Sequence, residues 1–293
     1  MNTVIHISQE GIHAVHGEFS KGTFTIDYLD TFPLPDECMI NGVIADEHAL
    51  TMALQKLHGA NIDKAMLVIG SGNILLKNIK VPKMSKQRLL TFTRDELSSL
   101  ENANAEDYIY DYAVLNDSVG RGGEILCCGV ERSLIKSYLD VFEGAGIKIQ
   151  SIDVSVYAIC KLVTNLEEFH NKTYILNIVD GNNLVTLLFV DNQYTFHNRN
   201  RLFAERGSEA LISEITRNTS QMIQFAKSQL RDITFDPMYI SGIKANESGI
   251  YDMIQSIFQV PGLPFPKSKS LVIKDEHQDV DGYLFCIGTL ARK

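Results

Sequence analysis

Residues 4–15 read VIHISQEGIHAV, and a second stretch of the same design, YILNIVDGNNLVTLLFV, occupies residues 174–190. Each stretch has an apolar strand, a short polar turn and a second apolar strand, which is the pattern of a β-hairpin. One such hairpin in each half of the chain predicts an internally duplicated fold with two lobes.

The turn of the first hairpin, Ser8-Gln9-Glu10-Gly11, has the position of a phosphate-binding loop without its composition. A loop that binds phosphate needs small residues, so that backbone N–H groups can approach the oxygen atoms. Here a glutamine and a glutamate occupy the turn, and the carboxylate of Glu10 repels anions. The hairpin shape therefore predicts the architecture of a nucleotide-binding protein. The side chains of the turn, however, argue against phosphate binding.

The composition narrows the class of protein. The chain has 293 residues, 45% of them hydrophobic, which is enough for two lobes with a substantial core. The formal net charge of -9 argues against binding to duplex nucleic acid and against direct attraction to anionic lipid. No run approaches 18 consecutive apolar residues, and no signal region starts the sequence, so neither a membrane span nor direct membrane insertion is expected.

The reactive side chains do not form a recognisable enzyme motif. Five cysteines without metal-ligand spacing are typical of reduced core thiols in a cytoplasmic protein. His6, His13 and His16 lie on short strands without a third partner for a metal ion. GSGN at residues 70–73 lacks the downstream glycine of a dinucleotide fingerprint, and no Gly-x-Ser-x-Gly nucleophile motif is present. The residues indicate no catalytic centre and no metal site.

The order of apolar runs and turn signals divides the chain into lobes. Strand and helix patterns alternate, as expected of an α/β fold. The predicted first lobe covers residues 1–172, with a core of 1–81 and 150–172 and an inserted subdomain at 82–149. The predicted second lobe, 173–293, is reduced in size.

Five segments in register resemble one known family. They are FPLPDECMINGVIADEHALTMALQKL (32–57), KNIKVPKMS (77–85), YIYDYAVL (108–115), RSLIKSYLDVFEGAGIKIQSIDVSVYAIC (132–160) and CIGTLAR (286–292). Together they resemble the PilM family of type IV pilus assembly proteins, which are relatives of the cell-division protein FtsA. The resemblance implies an actin-like, two-lobed α/β fold with a small subdomain inserted in the first lobe.

The same resemblance implies a function as a cytoplasmic adaptor. It places the protein at the inner face of the cell membrane, held there by the cytoplasmic N-terminal tail of a PilN-like single-span membrane protein. Through this contact the protein acts as a scaffold, linked to the pilus motor platform, and self-association remains open. An equivalent adaptor of a secretion or DNA-uptake machine is an alternative that the sequence does not separate from a pilus protein.

The nucleotide motifs of the family are degenerate in this chain. The matching positions are His6, Ser8, Gln9 and Gly11 in the first hairpin, Asn177, Val179 and Asp180 in the second, and Ser241 and Gly242 in a later loop. An imidazole at the first aspartate position is a poor magnesium ligand, because Mg²⁺ prefers oxygen. A β-branched valine stands where the family's second glycine lets phosphate approach the backbone.

The second lobe also lacks the segment that follows the hairpin in the family, because residues 199–225 run directly from a strand pattern into a long helix pattern. Arg206-Gly207-Ser208 remains a possible substitute for part of it. We expect a protein without ATPase activity and without a required cofactor. An ATP-binding conformational switch with Mg²⁺ is the alternative.

Partner binding in this family occupies a groove between the first-lobe core and the inserted subdomain. An extended peptide or a short helix anchored by apolar side chains fits such a groove. The predicted lining residues are Leu89, Phe92, Tyr108, Tyr110, Leu139 and Phe142.

Overall fold

The first lobe begins with an antiparallel meander followed by a helix and a central parallel strand. The computed structural model describes residues 1–59, 62–99, 104–118, 122–230, 232–275 and 278–292. The first elements are β1 (Asn2–Ile7), β2 (Ile12–Ser20), β3 (Thr23–Phe32), β4 (Met39–Ile40), β5 (Val43–Ile44), α1 (Glu47–Gly59) and β6 (Lys64–Ile69). Asp46 begins α1 by accepting a hydrogen bond from the amide of Ala49 at 2.9 Å, as a capping residue does.

The inserted subdomain is a three-stranded antiparallel sheet with one helix on it and a second helix after it. Its elements are β7 (Leu75–Val81), α2 (Lys86–Ser98), β8 (Tyr108–Ser118), β9 (Gly122–Glu131) and α3 (Arg132–Gly144). The strand order is β7-β9-β8. The insertion therefore begins before residue 82, because β7 pairs with β9 and not with the first-lobe sheet. Helix α3, within the predicted 82–149 unit, packs against α1 in the first-lobe core.

The chain then returns to the first lobe and continues into the second. These elements are β10 (Lys148–Val154), α4 (Ser155–Thr164), β11 (Tyr174–Asp180), β12 (Asn183–Val190), β13 (Gln193–Arg201), α5 (Glu209–Gln229), β14 (Met238–Ser241), α6 (Gly249–Phe258) and β15 (Gly262–Pro264). The second-lobe sheet has the order β13-β12-β11-β14-β15. Only residues 202–208 separate β13 from α5, so no subdomain intervenes there.

Two elements near the C-terminus of the chain belong to the first lobe. They are β16 (Leu271–Ile273) and α7 (Leu284–Leu290). Strand β16 pairs with β3, which gives the six-stranded order β10-β6-β1-β2-β3-β16. The predicted second lobe of 173–293 is therefore too long, because its C-terminal elements pair and pack with the first lobe. The apolar sequence of α7 predicts burial but not the lobe in which that burial occurs.

The duplication predicted from the two hairpins is confirmed at the level of the sheets. The order β3-β2-β1-β6-β10 in the first lobe is repeated by β13-β12-β11-β14-β15 in the second, and β6 and β14 each run parallel to the first strand of their hairpin. Among the described residues, no helix is both long and apolar enough to cross a bilayer.

One hydrophobic core extends through both lobes. Helices α4 and α7 pack against each other, and their apolar side chains contact buried residues from both large sheets in a single cluster. At the crossing, Gly288 of α7 lies so close to the carbonyl group of Ala158 in α4 that a Cβ atom would collide with it. The two lobes thus share a close-packed interior.

Candidate functional site

The turns of the two hairpins meet in the cleft between the lobes. His6 Nε2 lies 3.1 Å from Asp180 Oδ2, and His6 Nδ1 lies 3.1 Å from the carbonyl oxygen of Val68. Burial opposes ionisation of Asp180, but His6 and Arg199 outweigh it and lower the pKa of this carboxyl group to about 2. A buried hydrogen-bonded contact between the lobes, from His6 to Asp180, therefore stands at the position of the family's metal-binding aspartate.

The first turn is closed by its own side chains. The hydroxyl of Ser8 lies 3.0 Å from Nε2 of His13 and accepts a hydrogen bond from the amide of Glu10 at 3.0 Å. Gln9 reaches across the cleft: its Nε2 donates to the carbonyl of Met39, and its Oε1 accepts from the amide of Asn182, both at 3.2 Å. The turn thus binds protein groups on both sides.

Arg206 fills the space between the turns of the two lobes. Its Nε and Nη2 donate to the two carboxylate oxygens of Glu247, each at 2.8 Å, and Nη2 also donates to the carbonyl of Gly242 at 2.7 Å. Nη1 donates to Glu10 in the first lobe at 3.2 Å. Glu247 is only 1% exposed. A bidentate arginine–carboxylate pair of this kind is both strong and geometrically specific.

The partly retained Ser241-Gly242 motif is also engaged by the protein. Ser241 Oγ donates to Asp281 Oδ1 at 2.7 Å. Gly242 has φ +79°, and a Cβ atom there would collide with the carbonyl oxygen of Val179. Packing of the backbone therefore accounts for the glycine without any reference to a ligand.

The remaining predicted cleft residues are divided between two faces of β11. The side chain of Asn177 is fully buried: its Nδ2 donates to Thr219 of α5 at 3.2 Å, and its Oδ1 accepts from Thr186 of β12 at 2.8 Å. Val179 packs in the second-lobe core on that same side. Asp180 faces the cleft, because side chains alternate along a strand. Gly11, the remaining predicted residue of the first hairpin, packs against the backbone of Phe32 in β3.

The space left in the cleft is small. A cavity of about 220 Å³ remains, bordered by Arg206, Lys244, His13, Asp281 and Tyr283 among others. Small-molecule sites commonly have about 300–1,000 Å³. Within the described residues, no three His, Cys, Asp or Glu side chains are arranged to hold a metal ion.

A larger cavity of about 690 Å³ separates the inserted subdomain from the first-lobe core. One wall is formed by β8 and β9, and the other by β10, α4 and the end of α7. Aliphatic side chains dominate the lining. They include Ile109, Ala113, Val114, Leu126, Ile135, Ile152 and Val154.

The floor of this groove carries a buried charged pair. Lys161 Nζ donates to Asp153 Oδ2 at 2.6 Å, and Thr289 Oγ1 donates to the same oxygen at 3.3 Å. Lys161 is 6% exposed and its Nζ lies 5.2 Å from the ring centre of Tyr157. An ammonium group has three N–H donors, so the bond to Asp153 uses only one of the three donors of Lys161.

The residues predicted to line the groove lie elsewhere. Leu89, Phe92 and Tyr110 pack between α2 and the opposite face of the three-stranded sheet. Tyr108 is 7% exposed and stacks on Tyr110, with ring centres 6.0 Å apart. The structure therefore brings these four together, but away from the cavity.

The two predicted residues on α3 are also separated from the cavity. Phe142 is fully buried in the first-lobe core, and Leu139 is 41% exposed outside the lining. Strand alternation explains most of the difference: α2 covers the tyrosine face of β8, which leaves Ile109 and Ala113 for the groove. The alternation in YIYDYAV already separates these faces, but it does not say which one a helix covers.

Comparisons with known proteins agree with this architecture. The family model described as type IV pilus assembly protein PilM matches residues 4–219. A solved PilM-PilN type IV pilus biogenesis complex is similar with a TM-score of 0.79 and 14% identity, covering 99% of this chain and 97% of that chain. No curated protein matches the sequence.

Two further solved structures show the same fold at lower similarity. A Bacteroides thetaiotaomicron protein with an actin-like ATPase fold has a TM-score of 0.54 and 9% identity, covering 100% of this chain and 96% of that one. MreB5 of Spiroplasma citri, solved bound to ADP, has a TM-score of 0.50 and 9% identity, with coverages of 99% and 95%. The fold is thus actin-like, as the sequence predicts. Because the family match extends over well more than half of the chain, this protein belongs to the PilM family of type IV pilus assembly proteins.

Proposed function

We propose that this protein is a cytoplasmic adaptor of a type IV pilus assembly machine. It binds the cytoplasmic N-terminal tail of a PilN-like membrane protein in the groove between β8 and β10. The observation that carries the proposal is the groove itself, about 690 Å³ of largely apolar space beside the inserted subdomain. One of the similar solved structures is a PilM-PilN complex, which supports a PilN-like partner.

The adaptor works without ATP hydrolysis in this proposal. Two features of the inter-lobe cleft support the absence of hydrolysis. His6 replaces the family's aspartate, and Arg206 donates hydrogen bonds to groups of both lobes. The net charge of -9 disfavours direct attachment to anionic lipid. The protein is therefore held at the membrane through its partner, where it links that partner to the pilus motor platform.

A peptide-binding experiment tests the docking site. The probe is a synthetic peptide with the sequence of the tail of the PilN-like protein from the same organism, titrated into the full chain by calorimetry. Ile109→Asp places a charge in the groove and is expected to abolish binding. Leu139→Asp is the matched control, because Leu139 is equally exposed, at 41%, and lies outside the lining.

Two results would contradict the docking proposal. One is retained binding by Ile109→Asp together with loss by Leu139→Asp, which would assign the partner to the surface of α3. The other is an intact complex in pull-down after the tail is deleted from the partner.

A nucleotide-binding switch is the second candidate. The observation in its favour is the residual cavity of about 220 Å³ beside Arg206 and Lys244, two cations that attract phosphate. In this alternative ATP binds without rapid hydrolysis and changes the angle between the lobes. A nucleotide titration separates the two candidates, because only the switch binds ATP tightly.

A further inference from the structure

The edges of two separate sheets border the partner groove. Strand β8 is the outer strand of the three-stranded sheet, and β10 is the outer strand of the six-stranded sheet. An outer strand carries a row of backbone N–H and C=O groups that have no ladder partner. Such an edge is a template for an added strand.

The cavity lining extends to the outer edges of both strands. On β8 the consecutive residues 111–114 line the cavity, and on β10 the consecutive residues 151–154 do. Side chains alternate between the two faces of a strand. On β9, the inner strand of the same sheet, only the alternate residues 126, 128 and 130 line the cavity. The cavity therefore lies over one face of the three-stranded sheet and extends to its outer edge at residues 111–114 of β8.

Backbone amides on both edges already bond carboxylates of their own strand. The amide of Tyr112 donates to Asp111 Oδ1 at 2.8 Å, and the amide of Val154 donates to Asp153 Oδ1 at 2.8 Å. The Tyr112 amide is therefore directed away from β9, and strand geometry directs those of Tyr110 and Val114 the same way.

The edge of β10 is more fully covered than the edge of β8. Arg292 Nη2 donates to Ser151 Oγ at 2.7 Å, and Lys161 and Thr289 both donate to Asp153. On β8, by contrast, Ile109 and Val114 are each 41% exposed beside the cavity.

We propose that the partner's tail binds as an additional β-strand on the edge of β8. This inference rests on the proposed function and specifies the binding mode. Carbonyl groups of the tail accept from the amides of Tyr110, Tyr112 and Val114, and one of them replaces the Asp111 carboxylate at Tyr112. Aliphatic side chains of the tail pack against Ile109 and Val114, so the segment recognised is extended and apolar.

Backbone methylation of the peptide tests this pairing without changing the protein. The probe is the same tail peptide, N-methylated at one residue at a time and titrated into the full chain. In an added strand only every second N–H faces β8, so affinity falls about 3- to 10-fold at alternate positions and stays unchanged at those between. Hydrogen exchange of the amides of Tyr110, Tyr112 and Val114 slows in the complex.

The other outcomes overturn the inference. Affinity that is lost at every methylated position, at none, or at positions with helical spacing excludes pairing on one strand edge. In each of these cases, binding of the unmodified peptide still supports the adaptor function. Failure of the unmodified peptide to bind overturns both. In the protein, Val114→Pro removes one outward amide and weakens binding, whereas Val114→Thr keeps the amide and the β-branched shape and does not.

Discussion

His13 is a buried histidine whose surroundings favour the neutral ring. It lies 3.0 Å from the hydroxyl of Ser8 and 3.0 Å from that of Thr31, with His6 and Asp180 beyond. Burial, reinforced by the charge on His6, lowers the pKa of His13 from 6.5 to about 4. Between these two pH values the unfolded chain binds a proton that the folded chain does not.

Stability is therefore expected to fall as the pH falls from 6.5 to 4. With this pKa difference, His13 alone lowers the free energy of unfolding by about 2 kcal/mol at pH 5 relative to neutral pH. Urea denaturation at a series of pH values measures the effect. His13→Gln keeps hydrogen-bonding groups but does not titrate, so its stability should change less over this range; an equal slope in both proteins would contradict the assignment.

Arg206 and Glu247 form a buried ion pair, and its effect on stability can be measured. Glu247 is 1% exposed and both its oxygens accept from Arg206. Arg206→Leu leaves this carboxylate buried without its cation and should lower the free energy of unfolding by about 3–5 kcal/mol.

The double variant Arg206→Leu/Glu247→Leu distinguishes an ion pair from simple packing. It removes both charges and should recover much of the lost stability, as measured by urea denaturation. Additive losses from the two single substitutions would mean that the charges do not interact.

At the level of elements, one glycine, Gly288, allows α4 and α7 to pack closely where they cross. Alanine has a better helix propensity than glycine by about 1 kcal/mol, so sequence alone predicts that Gly288→Ala stabilises α7. The Cβ atom would, however, collide with the backbone of Ala158, and overpacking of this kind costs about 1–3 kcal/mol.

We therefore expect Gly288→Ala to be destabilising overall, by about 1 kcal/mol or more, in urea denaturation. Gly59→Ala is the control, because Gly59 ends α1 with open space around its Cβ position. That substitution should leave stability unchanged or raise it. A stabilised Gly288→Ala variant would mean that the two helices separate easily.

Local patterns explain which elements the sequence predicts correctly. The two hairpins and the apolar strands depend on neighbouring residues, so their signals lie in short windows. The Arg206 network joins residues 10, 206 and 247 from three distant segments, and no short window contains that information. The same holds for the pairing of β16 with β3 and for the face of β8 that α2 covers.

At the level of the whole molecule, the shared core and the cleft ion pairs hold the lobes in one arrangement. Separation of the lobes would expose the apolar cluster around α4 and α7 and break the His6–Asp180 contact. This arrangement argues for a fixed scaffold over a nucleotide-driven switch.

Thermal unfolding with and without ATP and Mg²⁺ tests this expectation. At 2 mM nucleotide, a dissociation constant of about 10 mM adds only about 0.1 kcal/mol, whereas one of about 20 μM adds about 2.7 kcal/mol. We expect no measurable rise in melting temperature and no heat in calorimetry. A rise of several degrees would support the switch and show that the cleft residues rearrange around a ligand.

The return of β16 and α7 to the first lobe has a consequence for synthesis on the ribosome. A growing chain reaches residues 271–290 only after the whole second lobe has been translated, and α7 supplies part of the core on which β1 and β2 pack. At about 5–20 residues per second, the nascent first lobe waits many seconds with apolar surface uncovered. The final packing of the first lobe is therefore a late step, completed only after the second lobe has been synthesised.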